Sequence, residues 1–125
     1  MIRSKVGYTA VALATLTALV HLFVGTPETA APLLASDLPE VARGTGFLVW
    51  HFLSGLLFVL AATVAYGTWG QNRALLGLAA IQSATMAVIG LILPLMVGIG
   101  YAVLPQGGLF AVLTGLILWA LKPTT

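Results

Sequence analysis

The sequence predicts an all-α integral membrane protein, a four-helix bundle with a long extracytoplasmic loop between its first two helices. Of its 125 residues 60% are hydrophobic and 6% charged, with mean hydropathy +1.10, too little polar surface to cover a water-soluble globule. Four apolar runs, at about 6–25, 46–69, 74–100 and 108–121, approach the roughly 20 residues a helix needs to cross a hydrocarbon core. The charges also segregate. Arg3, Lys5, Arg73 and Lys122 fall at one side of a four-span path, and Glu28, Asp37, Glu40 and Arg43 at the other, which places both termini in the cytoplasm. The whole chain, 1–125, reads as one transmembrane domain.

The first run, 6–25, follows Arg3 and Lys5 and precedes Thr29-Ala30-Ala31, so it has features of a signal peptide. It is longer than a usual signal core and carries His21, and it is expected to stay in the chain as a helix. On it Ala14, Ala18, His21 and Gly25 recur at spacings of three and four, giving one face of small residues. The next stretch, 26–45, reads as the loop. Thr26-Pro27 suits a helix start, and Asp37 with Glu40 three residues on suits a capping box before the second span. Leu33, Leu34, Leu38 and Val41 could form a short interfacial helix over the bundle, and the prolines at 27, 32 and 39 would stiffen it.

The second run, 46–69, places Ser54 and Gly55 one turn after His51. The third, 74–100, carries a stripe of Ser83, Ala87 and Gly90, and Pro94 is expected to disturb its last turns. The fourth, 108–121, is short for a span and carries Gly108, Ala111 and Gly115. Such stripes let helix backbones approach closely in lipid, where no hydrophobic force drives helices together. Trp69 and Trp119 are expected at the inner interface, and Trp50 and Tyr101 at the outer one.

Composition also excludes chemistry. The net charge of +2 rests on five basic and three acidic side chains and makes no nucleic-acid patch. With no cysteine, disulfide exchange, thiolate metal sites and cysteine nucleophiles are ruled out. No phosphate loop, G-x-S-x-G or HExxH is present, and no nucleophile, paired carboxylate or full metal set falls within one reach. The expectation is that the chain is not an enzyme.

His21 and His51 carry the remaining chemistry. Four residues before Gly25 and five after Gly46, they lie at matching depth, roughly 6–8 Å below the outer boundary. They are expected to face one another across the first two helices as one coupled unit. In the simplest reading they are neutral imidazoles bonded to each other, to Thr17 or Ser54, or to a carbonyl. Intramembrane ionisable groups are costly, however, and stand as functional candidates. The pair could hold a b-type haem, or a copper or zinc ion with a loop carboxylate such as Glu28, or handle protons in a small transporter.

His21, Pro32-Leu33-Leu34, Arg43 and Trp50-His51 together resemble a pattern of small, uncharacterised four-helix inner-membrane proteins of bacteria, over about a quarter of the chain. The resemblance implies a fold and a bacterial inner (plasma) membrane, and carries no activity across. In size the chain is also similar to small multidrug transporters, but those rely on an acidic residue in the first span. Here that span holds only His21, which counts against drug–proton antiport. The leading expectation is a non-enzymatic membrane protein that lies in the lipid bilayer as a homo-oligomer or as an accessory subunit of a larger membrane complex. The alternatives are a haem or metal binder and a small transporter.

Overall fold

The computed structural model describes residues 1–124, and all of its regular structure is helical. Helix α1 (Ser4–Val20) continues without a break into a π-helical segment (His21–Ala30) and a short α2 (Ala31–Leu34). Then come α3 (Glu40–Trp69), α4 (Arg73–Val97) and α5 (Gln106–Ala120). Three stretches, Ser4–Leu34, Glu40–Trp69 and Arg73–Val97, are long and apolar enough to cross a membrane. Helix α5, at 15 residues, is shorter; at 1.5 Å per residue it covers about 22 Å.

The segment expected as a 20-residue loop is mostly helical. Pro27 has no N–H to give, and in an α-helix its ring would strike the carbonyl of Phe23. The wider π-helix accommodates both, and Ala31 N–H bonds to the carbonyl of Thr26, five residues back. Pro27 thus lies inside a helix and starts none. The chain leaves the helix only at 35–39, where Ser36 Oγ donates to Leu33 O and Arg43 Nη1 to Leu34 O. Helix α3 begins at Glu40, with Pro39 at its N-cap and no side-chain cap bond. The capping box therefore does not form; Glu40 instead places its charge in the first turn, where the helix dipole favours it.

The α3–α4 turn passes through Gln71 at φ 53°, and Asn72 caps α4 by accepting from the backbone N–H of Ala74 and Leu75. Helix α4 carries Pro94 within it and ends at Gly98, whose φ of 69° is the left-handed conformation that closes a helix.

Helix α1 packs on α3 and α5, and α4 packs on α3 and α5. The core between them joins Ala10, Ala14 and Ala18 of α1 with Leu57, Leu60 and Val64 of α3, Leu76, Ala79 and Ala87 of α4, and Phe110, Leu113 and Ile117 of α5. Small residues on α1 and large ones on α5 complement each other in volume. Both termini meet the α3–α4 turn at one end, where Arg3 N–H bonds to Ala120 O and Ile2 N–H to Gln71 Oε1.

The small-residue stripes are only partly packing faces. Ala14, Ala18, Ser83 and Ala87 are buried, a Cβ on Gly25 would strike the Trp50 ring, and one on Gly90 would strike the backbone of Gly107. A Cβ on Gly55, Gly108 or Gly115 would meet nothing within 4 Å. On α5 the buried face is Gly107, Phe110, Leu113, Ile117 and Ala120, one residue, or about 100°, away from the expected one. With glycines at both 107 and 108, spacing alone does not choose between faces.

Candidate functional site

His21 opens the π-helical segment and His51 lies a third of the way along α3, so the junction of these elements builds the site. The Trp50 indole fills the gap left by Gly25, stacks on the His21 ring with centroids 4.1 Å apart and planes at 18°, and donates its N–H to Thr26 Oγ1 at 3.1 Å. One aromatic plate therefore makes three contacts with the π-helical segment, which fixes where His21 points.

The ring nitrogens have separate partners. His21 Nδ1 lies 3.0 Å from Ser54 Oγ, and Ser54 Oγ in turn donates to Trp50 O at 3.0 Å. A hydroxyl has one hydrogen, already given to that carbonyl, so His21 Nδ1–H is the donor to Ser54. His51 Nδ1 lies 2.9 Å from Phe47 O, and a carbonyl only accepts, so His51 Nδ1–H donates as well. The Phe47 ring tilts over His51 with centroids 4.4 Å apart. Both rings are thus held with a proton on Nδ1, and neither Nε2 has a partner among the described residues. A backbone or hydroxyl acceptor on one ring nitrogen is how proteins orient an imidazole whose other nitrogen binds something.

Neither histidine bonds to the other; each bonds to a polar atom of α3. They remain neighbours, because Ser54, which holds His21, is three residues beyond His51, and residues so spaced on a helix lie about 5–6 Å apart. Glu28 is exposed, and no group of three or more His, Asp or Glu able to hold a metal exists among the described residues. The set His21, His51 and Glu28 expected for copper or zinc is not assembled. Trp50 covers one face of His21 and leaves the in-plane Nε2 lone pair, the atom that would ligate a haem iron, untouched. Two shallow concavities lie on α4 and α5, and neither is lined by a histidine.

Those two concavities share Ile81 and Ala84. One is lined by Gly77, Ala80, Thr114 and Leu118 and the other by Thr85, Val88 and Ile89, and together they form a shallow apolar groove along the outer side of α4. Behind it, Thr114 Oγ1 bonds to Ser83 Oγ at 2.9 Å and Ser83 Oγ to Phe110 O at 3.1 Å, linking α4 to α5.

Sequence reasoning missed two residues that organise the molecule. Trp50 reads from the sequence as an outer-interface marker and as part of the Trp50-His51 resemblance, without its contacts to Gly25 and His21; the available signal is Gly25, a notch at matching depth. Gln71, which ties Ile2 N–H, Ser4 Oγ and Thr68 O together, carried no signal beyond being polar in a turn. No protein-family model matches this chain, and no curated protein or solved structure matches it either.

Proposed function

We propose that the chain is a small, non-enzymatic protein of the bacterial inner membrane, a four-span bundle with both termini in the cytoplasm, that works by association with copies of itself or as an accessory subunit of a larger membrane complex. The groove along α4 carries this reading. Around Gly77, Ala80 and Ala84 it offers the small side chains that let a second helix approach closely in lipid. Outward-facing Gly55, Gly108 and Gly115 add notches left unfilled within the chain. The test is energy transfer between donor- and acceptor-labelled copies diluted in liposomes, with native gels of solubilised membranes beside it. Wild type is expected to self-associate or to migrate in a larger assembly, and Ala84→Leu to lose that behaviour. If Ala84→Leu and Gly77→Leu change neither readout, the groove is not an interface and the reading fails.

A second reading, ligand binding at the histidines, is supported by the two Nε2 atoms, unpartnered among the described residues, on rings held through Nδ1. Imidazole suits copper and zinc. Metal analysis after equilibration with either ion, on wild type and His51→Ala, tests it; equal content in both would remove it.

A further inference from the structure

At the end of the molecule where the termini meet, two arginines converge. Arg73 Nη1 donates to Leu121 O at 2.6 Å, and Arg3 Nη2 to Pro123 O at 3.3 Å. The two carbonyls are two residues apart, a span of at most about 7 Å. Both guanidiniums are thus drawn to the chain just after α5, where the negative end of the helix dipole favours them.

Those bonds occupy one N–H of each five-donor fork, and Arg3 Nε is buried with no partner. Lys5, in the second residue of α1, and Lys122, between the two accepting carbonyls, add two exposed ammonium groups. No acidic side chain is near among the described residues, because Glu28, Asp37 and Glu40 belong to the π-helical segment, the 35–39 turn and the α3 start at the opposite end. Four of the five basic side chains therefore lie at one rim, where no acidic side chain accompanies them among the described residues. The arrangement is held by the backbone N–H of Arg3 bonding to Ala120 O and that of Ile2 to the Gln71 side-chain Oε1, so the start of α1 is fixed against the ends of α3 and α5.

We propose that this rim is a binding site for the phosphodiester headgroup of an anionic phospholipid. Arg3 and Arg73 supply planar forks that match phosphate oxygens, and Lys5 and Lys122 supply point charges around them. A lipid is favoured over a free anion because the exposed apolar side chains of Tyr8, Trp69 and Trp119 lie on the adjoining helix ends and offer the acyl chains a surface. In the cell the assignment rests on the proposed topology, which turns this rim to the cytoplasmic leaflet, where anionic lipid attracts juxtamembrane cations.

The test is independent of orientation. Purified full chain in a mild non-ionic detergent is melted with added phosphatidylglycerol, phosphatidylcholine or inorganic phosphate, and lipid retention is counted by native mass spectrometry. Phosphatidylglycerol is expected to raise the melting temperature and to be retained, and the other two to do neither. Arg3→Gln or Arg73→Gln should weaken retention about fivefold each, the loss of one lipid-facing charge. If Arg73→Gln fails to fold, Arg3→Gln and Lys5→Gln leave the Arg73–Leu121 bond intact and give the same reading. Equal effects of phosphatidylcholine, or undiminished retention in the variants, would overturn the site. An equal shift with inorganic phosphate alone would overturn the lipid and leave an anion site. Both results stand apart from the groove and its variants.

Discussion

Replacing Gly107 by Ala tests the α4–α5 packing most directly, with Gly108→Ala as its control. A Cβ on Gly107 would lie 2.6 Å from Gly90 O and from Leu91 N, whereas ordinary contact begins near 3.4 Å. The obstacle is backbone, with Gly90 C nearest of all, so no rotamer change relieves it, and the helices must part by about 1 Å. A gap of that size forfeits roughly a quarter to a half of each dispersion contact along the seam, and overpacking of this kind typically costs about 1–3 kcal/mol. Gly108→Ala adds the same methyl to the same helix but meets nothing within 4 Å. Both variants gain the same helix propensity, about 1 kcal/mol, so the difference between them isolates the steric cost. Unfolding in mixed micelles by increasing SDS mole fraction, followed by circular dichroism, is expected to place Gly107→Ala about 1–3 kcal/mol below Gly108→Ala. Equal midpoints would refute the close approach of α4 and α5 at Gly90.

Three further outcomes follow from the geometry. Cysteines placed at Ser4 and Asp37 are expected to differ in labelling by an impermeant reagent applied outside cells, with position 37 reacting and position 4 not; the reverse pattern would sink the topology. In a double-mutant cycle, His21→Ala and Ser54→Ala should couple by about 0.6 kcal/mol and at most about 1.7, the range for hydrogen bonds within membranes, and more strongly than His21→Ala with His51→Ala. A larger coupling between the histidines would put the bond between them. Ser83→Ala removes the hydroxyl that joins Thr114 to Phe110 O, and should cost about 0.5–1.5 kcal/mol in the same SDS titration, whereas Thr85→Ala, which bonds only within α4, should cost less.

The helices were legible because long apolar runs have few alternatives in a chain this poor in charge. Their ends were not. Residues 26–34 carry prolines, threonines and Glu28, which read as loop, yet a π-helix absorbs Pro27, and the turn narrows to 35–39. The depth of His21 and His51 followed from counting residues, but their partners did not. Ser54 is three residues from His51 and Trp50 is adjacent to it, so a small rotation of α1 decides whether His21 meets an imidazole, a hydroxyl or an indole. On α5 the adjacent glycines at 107 and 108 left two faces equally eligible, and the close contact with Gly90 selects the first.

The bonds from Ile2 and Arg3 to Gln71 and Ala120 also constrain the order of assembly. Neighbouring helices α3 and α4 can pair as soon as both are inserted, since a short turn joins them. The seam between α1 and α5 unites segments more than a hundred residues apart in sequence, and contacts of such separation form late. Until α5 is in place, the first residues of α1 have no backbone acceptor at Ala120, and the guanidiniums of Arg3 and Arg73 have no carbonyls to hold them. The rim of positive charge is therefore completed only by the final closure of the fold, and a chain stalled before α5 would reach the bilayer without it.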